Sequence, residues 1–120
     1  MQQGSIIGEK SMAYAIRIVK LYKYLYEIKK ETVLSKQLLR SGTSIGANTR
    51  ESKNAQSRND FLNKLNKALK EADETEYWLE LLYKTEYLDE KEYKSIQKDT
   101  SELIKILTSI IKRLKEDTGK

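Results

Sequence analysis

The chain has 120 residues, a net charge of +5 and no Pro, Cys or His. The lack of Cys excludes a disulfide scaffold and Cys-ligated zinc or iron–sulfur sites, and the lack of His removes the usual general base near neutral pH. The length suits one domain, expected to span residues 10–118 behind a flexible arm at residues 1–9. No apolar run reaches the roughly 18 residues that cross a membrane, and no signal-peptide pattern is present, so the sequence predicts a cytoplasmic protein without membrane contact.

The first predicted helix runs from about Ser11 to Lys30 and carries more apolar surface than one core needs. Its apolar side chains cover an arc of roughly 200° at about 100° per residue, whereas a core-facing helix needs an arc only somewhat above 100°. Two stripes make up this arc: Met12, Ile16, Val19, Tyr22 and Tyr26, and Tyr14, Ile18, Leu21, Leu25 and Ile28. The spare apolar surface predicts self-association.

The second predicted helix, from about Val33 to Lys53, has a centre of small residues between Ser41 and Asn48. Gly42 and Gly46 lie four residues apart, on one side of the helix, where a missing side chain lets another backbone approach closely. Close packing inside a bundle is the favoured interpretation. A phosphate-binding loop is the alternative, but no strand precedes these glycines and the Lys-Ser pair of a P-loop is absent.

The third and fourth helices begin with capping signals. Ser57 is followed three residues later by Asp60, and Asp89 by Glu92, at the start of a helix predicted to end near Asp117. Past Thr75 the third helix is apolar on every side, which predicts an oligomer interface. The candidate interface residues are Tyr77, Trp78, Leu81 and Tyr83. Four helices with short connections predict an all-α, antiparallel, up-down-up-down four-helix bundle.

Charge is distributed unevenly along the chain. Residues 1–70 carry 14 basic and 5 acidic side chains, and residues 71–120 carry 9 basic and 13 acidic ones. This asymmetry indicates either a basic face that meets phosphate or basic and acidic helices that complement each other. The candidate nucleic-acid-binding residues lie on the second and third helices and their connection: Arg40, Arg50, Lys53, Arg58, Lys64 and Lys67.

The acidic segment from Glu71 to Glu76 is interpreted as a solvated helix face, not a metal site. A di-iron bundle site needs Glu-x-x-His ligands, and the chain has no His. Pairs at i,i+4, Lys67–Glu71 and Lys70–Glu74, are the favoured arrangement. We expect no metal, no cofactor and no enzymatic activity, because no nucleotide fingerprint, glycine-rich phosphate loop or nucleophile elbow is present.

Two segments resemble the bacterial 23S rRNA intervening-sequence proteins: Gln37–Leu82, which contains SIGAN and ALKEADETEYWLELL, and Lys10–Leu25, KSMAYAIRIVKLYKYL. The resemblance implies a four-helix bundle, and similar proteins form ring-shaped homopentamers. A related bundle, the accessory variability protein of diversity-generating retroelements, is a basic pentamer that binds nucleic acid and a reverse transcriptase. RNA, DNA and such a polymerase are therefore the expected partners beside the chain itself.

The family pattern falls on residues of the second and third helices. On the second helix these are Ser44, Asn48 and Glu51, interpreted as a buried polar network that fixes helix register, with direct ligand contact as the alternative. On the third helix they are Phe61, Lys64, Ala68, Glu71, Glu74, Trp78 and Leu79. One departure is Thr49, where the family often has an apolar residue.

Two functions follow from these features. The leading hypothesis is a non-enzymatic homo-oligomer, expected to be a pentamer, that binds RNA or DNA through its basic surface. The alternative is a protein-interaction scaffold that makes no direct contact with nucleic acid.

Overall fold

The computed structural model describes residues 2–118 and the side chains of residues 6–117. Over residues 2–118 the chain forms four α-helices and no strand: α1 (Gln2–Glu27), α2 (Leu34–Ser52), α3 (Arg58–Lys84) and α4 (Glu90–Thr118). Each helix packs against its neighbours in sequence, and α4 also packs against α1. The predicted all-α four-helix bundle is thus confirmed, and it measures 50 × 22 × 21 Å.

The first helix differs from its prediction at both ends. It begins at Gln2 instead of Ser11, and the segment expected to be a flexible arm is helical from that residue onward. Ile7 is only 2% exposed, so this extension adds to the core. At its other end α1 stops at Glu27, and Lys30 in the following turn has a φ of 60°. This left-handed conformation reverses the chain toward α2.

The core is a column of aliphatic side chains contributed by all four helices. Burying each large aliphatic side chain contributes about 1.5–3 kcal/mol before the entropy cost of ordering it. The fully buried members include Ile18, Leu25, Leu38, Ile45, Leu65, Leu79, Leu82 and Leu107. Buried positions recur at three- and four-residue spacings, as in α3, which turns one face inward and leaves the other to charged residues. The buried residues of α3 are Leu65, Ala68, Ala72, Thr75, Leu79 and Leu82.

The two glycines of α2 allow α1 to approach closely, as their spacing predicts. A Cβ atom added at Gly42 would lie 2.8 Å from two carbons of the Ile18 side chain. One added at Gly46 would lie 3.4 Å from the backbone oxygen of Ser11. The favoured interpretation, packing within the bundle, is therefore confirmed at Gly42, where no other residue fits without displacing Ile18.

Both predicted capping signals operate at the helix starts. The Asp89 backbone N–H donates to Glu92 Oε1 over 2.9 Å, and the Glu92 N–H donates to Asp89 Oδ1 over 2.7 Å. At α3 the Ser57 hydroxyl oxygen accepts from the Asp60 N–H over 3.0 Å. These bonds satisfy backbone donors that the first turn of a helix leaves without partners.

The start of α2 is capped by a carboxylate that the sequence pattern did not reveal. Glu31 is buried, and it accepts hydrogen bonds from the backbone N–H groups of Val33 (3.2 Å), Leu34 (2.9 Å) and Ser35 (2.6 Å). In return the Ser35 hydroxyl donates to the Glu31 carbonyl oxygen over 2.7 Å. A negative charge at this position also interacts favourably with the helix dipole.

Two buried hydrogen bonds join helices through side chains. The Tyr14 hydroxyl of α1 lies 2.5 Å from the Thr100 hydroxyl of α4, and the Thr75 hydroxyl of α3 donates to Ser41 of α2 over 2.9 Å. Burial raises the pKa of Tyr14 well above its ordinary value. Since these groups are paired, they fix the relative position of neighbouring helices without leaving a polar atom unsatisfied.

Candidate nucleic-acid interface

Arg40, the first candidate nucleic-acid-binding residue, forms ion pairs that join α2 to α3 instead. Its guanidinium donates to Glu71 Oε1 over 3.2 Å and to Glu74 Oε1 over 2.5 Å. The hydrogen bond to Glu74, followed by the charge of Glu71, raises the pKa of Arg40. The predicted i,i+4 partners Lys67 and Lys70 make no ion pair with these carboxylates among the described side chains. That prediction is wrong, because a forked guanidinium reaches both carboxylates across the helix boundary.

Two further candidates belong to ion pairs near the α2–α3 connection. Lys64 Nζ lies 2.9 Å from Glu51 Oε1, and this hydrogen bond raises the pKa of Lys64. Arg58 lies 3.3 Å from Asp117 of α4, with both side chains more than half exposed. Exposed ion pairs contribute about 0–1 kcal/mol, so a phosphate group can replace either carboxylate at little cost.

Arg50, Lys53 and Lys67 keep their charge facing solvent. All three are exposed, and none makes an ion pair with any side chain of residues 6–117. Arg50 and Lys53 flank a groove between α1 and α2 of about 820 Å³, whose acidic members are Glu9 and Glu51. The structure thus brings Arg50 and Lys53 together, as predicted, near the end of the bundle where α2 meets α3.

Lys53 also reaches a second cavity, of about 620 Å³, at this end of the bundle. Arg58 and Arg113 line the same cavity, together with apolar side chains that include Phe61. Sequence reasoning missed Arg113 because it assigned the basic face to α2 and α3 alone. The signal was the antiparallel topology, which returns the last turns of α4 to the start of α3.

Ser44, Asn48 and Glu51 do not form the predicted buried network. The Ser44 hydroxyl donates to the backbone oxygen of Arg40, and the Asn48 amide donates to the backbone oxygen of Ser44, so both bonds stay within α2. Glu51 is exposed and pairs with Lys64. Their polar groups therefore lie at the surface of the α2–α3 boundary, while the buried polar bonds between helices lie elsewhere.

The four candidate interface residues of α3 differ in exposure. Tyr77 is 57% exposed, whereas Trp78, Leu81 and Tyr83 are half-buried. The Tyr83 ring stacks on Tyr93 of α4 with centroids 4.4 Å apart. The indole N–H of Trp78 is buried without an acceptor among the described residues. Apart from Tyr77, this aromatic segment mainly fills spaces between helices.

Exposed apolar surface lies instead along α1. Met12 is 45% exposed and Ile16 is 50% exposed, one helical turn apart on the same face. The spare apolar surface predicted for helix one is present there.

The residues described hold no group of three or more acidic side chains placed to bind a metal ion. Within the same part of the chain, none of the helices contains an apolar stretch of the length that a membrane span requires.

Comparison with known families agrees with the residue pattern. A family model for the 23S rRNA-intervening sequence protein matches residues 4–109. The chain belongs to this family. Its fold is also that of a crystal structure from Bacteroides thetaiotaomicron, solved at 1.70 Å, of a protein of unknown function from the S23 ribosomal protein family. That structure is 60% identical, with a TM-score of 0.90 over 92% of this chain and 98% of the other. Comparison with curated proteins gives no match. Membership of the 23S rRNA-intervening sequence protein family thus accounts for the fold and leaves the activity to be inferred from the surface.

Proposed function

We propose that this protein is a non-enzymatic module that associates with itself and binds RNA or DNA through its basic surface. The observation that carries the proposal is the charge of Arg50, Lys53 and Lys67, which no carboxylate of the described side chains neutralises. Binding a phosphate there breaks no internal ion pair. Each phosphate that is neutralised releases condensed counterions, which favours association at low salt.

The proposed contacts favour the nucleic-acid backbone over base edges. Arg50 and Lys53 lie near one end of α2, beside the α2–α3 connection, and both are exposed at the edge of the groove between α1 and α2. Lysine and arginine at such a surface bind phosphate oxygens, which are the same at every sequence position. Weak sequence preference and strong salt dependence are the expected properties.

A charge-reversal pair tests this surface. We expect Arg50→Glu with Lys53→Glu to weaken binding to a 20-base-pair duplex at least about tenfold at 100 mM salt, because two phosphate contacts are lost and two repulsions gained. The matched control is Lys98→Glu with Lys105→Glu, which changes net charge equally at two exposed lysines of α4. Fluorescence anisotropy measures both. Equal losses in the two variants would show that net charge, and not this surface, governs binding.

Self-association is supported by the apolar surface of α1. Met12 and Ile16 are too exposed for core residues of their size, and a second copy packing there removes them from water. A ring brings several basic surfaces together, which raises avidity without new contacts. Light scattering is expected to give a multiple of 14.0 kDa, with the pentamer as the proposed state, and Met12→Glu with Ile16→Glu is expected to reduce it to 14.0 kDa. A wild-type mass of 14.0 kDa at all concentrations would contradict the proposal.

The groove between α1 and α2 favours a second candidate, a protein-interaction scaffold. Its walls include Met12, Ile16 and the small residues Gly46 and Ala47, which suit an apolar helix of a partner such as a polymerase. This function predicts no affinity for free oligonucleotides in the salt range where the basic surface should bind them. Measured oligonucleotide binding that Arg50→Glu reduces would exclude a purely protein-binding role.

A further inference from the structure

Two tyrosines and a lysine lie together near the C-terminal end of α1, where Tyr26 and Lys36 are exposed and Tyr22 is half-buried. The Tyr22 and Tyr26 ring centroids lie 5.5 Å apart with the ring planes inclined at 46°. Lys36 of α2 places its ammonium 5.8 Å from the Tyr26 centroid. We call these three residues the tyrosine ledge. Because α1 and α2 are antiparallel, the ledge lies at the opposite end of α2 from Arg50 and Lys53.

Tyr26 is more exposed than Tyr14 of the same helix. Tyr14, on the same helix, is buried and its hydroxyl pairs with Thr100, whereas Tyr26 is 36% exposed. Neither Tyr22 nor Tyr26 makes a hydroxyl hydrogen bond with the part of the chain that is described. The Tyr26 ring contacts the inclined ring of Tyr22 and the ammonium of Lys36. Part of the ring stays open to solvent.

The segment that carries the ledge is mostly basic, although Lys29 shares a cavity with Glu86, Asp89 and Glu92 at the same end of the bundle. Residues 17–36 contain six basic and two acidic side chains. Of the two carboxylates, Glu31 is buried as the α2 cap, and only Glu27 lies at the surface. Arg17 pairs with Asp99 of α4. The five lysines of this region make no ion pair with any described side chain: Lys20, Lys23, Lys29, Lys30 and Lys36.

We propose that the tyrosine ledge binds unpaired nucleotides of a single-stranded nucleic acid, with a base stacked on Tyr26 and phosphates held by Lys23 and Lys36. Lys23 lies one helical turn from Tyr26. The Lys36 ammonium lies 5.8 Å from the Tyr26 centroid, and its flexible side chain can turn from the ring face to a phosphate when a base stacks there. Stacking on tyrosine with lysines along the backbone is a mode used for single strands. A duplex hides the faces of its bases, so the ledge selects unpaired segments.

This inference depends on the proposed function, but it uses different residues and a different form of nucleic acid. The basic surface at Arg50 and Lys53 contacts phosphate in any conformation, whereas the ledge needs an accessible base face. Because the two sites lie at opposite ends of the bundle, one protein molecule can bind a duplex and an adjoining single-stranded segment of the same nucleic acid at once. Variants of the ledge should therefore change single-strand binding and leave duplex binding unaltered.

The test uses the full chain with a fluorescein-labelled oligouridine of ten nucleotides, which stays unstacked, and a 20-base-pair duplex for comparison. Tyr26→Ala should weaken oligouridine binding at least about fivefold, since stacking on an aromatic residue contributes about 1–3 kcal/mol per base. Tyr26→Phe keeps the ring and should bind within about twofold of the wild type. Tyr77→Ala removes another exposed tyrosine, on α3, and is the matched control. Because Tyr77 is also a candidate interface residue, light scattering compares the assembly of this variant with that of the wild type, and binding is compared at equal assembly. Circular dichroism verifies the helical content of each variant.

The outcomes separate the two proposals. Loss of oligouridine binding in Tyr26→Ala, with Tyr26→Phe, Tyr77→Ala and duplex affinity unchanged, supports the ledge. Unchanged oligouridine affinity in Tyr26→Ala, or equal loss in Tyr77→Ala, overturns it while the basic surface stands. If the wild type binds neither probe at low salt, the proposed function fails and the ledge fails with it.

Discussion

The cap of α2 depends on one buried carboxylate, and Glu31→Ala removes it. The Glu31 side chain accepts three backbone N–H groups at 2.6–3.2 Å, from Val33, Leu34 and Ser35. After the substitution these donors have only water as a partner, and the negative charge at the positive end of the helix dipole is lost. No nearby residue can replace it, because α2 has no acidic side chain in its first turn.

The expected loss is about 2 kcal/mol. Removing a side-chain cap costs about 0.5–2 kcal/mol, and losing the charge at the helix start costs about 0.3–1 kcal/mol more. For a domain of this size, 2 kcal/mol lowers the midpoint of thermal unfolding by roughly 8 °C. Glu31→Gln keeps an acceptor oxygen but no charge, so we expect about half of this loss.

Urea unfolding followed by circular dichroism at a fixed protein concentration measures these changes, since self-association makes stability concentration-dependent. The matched control is Glu27→Ala, which removes an exposed carboxylate from the last turn of α1 and should leave stability unchanged or slightly raised. If the free energy of unfolding of Glu31→Ala lies within about 0.5 kcal/mol of the wild-type value, the three hydrogen bonds do not stabilise α2 as argued.

Three further predictions concern packing, pH and backbone conformation. Gly42→Ala should lower the free energy of unfolding by about 1–3 kcal/mol, because its Cβ would lie 2.8 Å from Ile18 carbons. Gly46→Ala, whose nearest contact would lie at 3.4 Å, should be neutral or stabilising by up to about 1 kcal/mol. Urea unfolding compares the two variants, and equal effects would contradict the packing argument. Burial raises the pKa of Tyr14 in the folded state, so the stability that this neutral hydroxyl contributes is fully present below its unfolded pKa near 10 and is lost as pH rises above that value. Between about pH 9 and 11.5 the midpoint of thermal unfolding should therefore decline less for Tyr14→Phe than for the wild type. Parallel curves for the two proteins would refute this. Lys30→Gly should stabilise the chain by about 1 kcal/mol because residue 30 has a φ of 60°, and a destabilised variant would show that the turn does not strain this residue.

Most of the fold follows from the sequence because the signals are local. The reciprocal Asp89 and Glu92 cap needs only residues three apart, and the close approach at Gly42 follows from a missing side chain on a helix face. The signal that places the start of α1 is not local. Residues 2–10 become helical because Ile7 is buried against other helices, and the glycines of that segment gave the opposite local signal.

The candidate site was less predictable, since pairing of charges depends on which helices lie side by side. Arg40 has the same appearance in sequence as Arg50, yet only Arg40 faces the carboxylates of α3. A guanidinium that spans two residues of a neighbouring helix cannot be recognised from spacing along its own helix. The same holds for the contact between Tyr26 and Lys36, which depends on how α1 and α2 lie side by side.

The salt dependence of duplex binding tests the central claim of a phosphate-binding surface most directly. If Arg50, Lys53 and Lys67 each neutralise one phosphate, a plot of log affinity against log salt has a slope of about −2.7. Raising salt from about 50 to 200 mM should then weaken binding of a 20-base-pair duplex about 40-fold, and more in a multivalent assembly. An affinity that changes less than about twofold over this range would contradict the account.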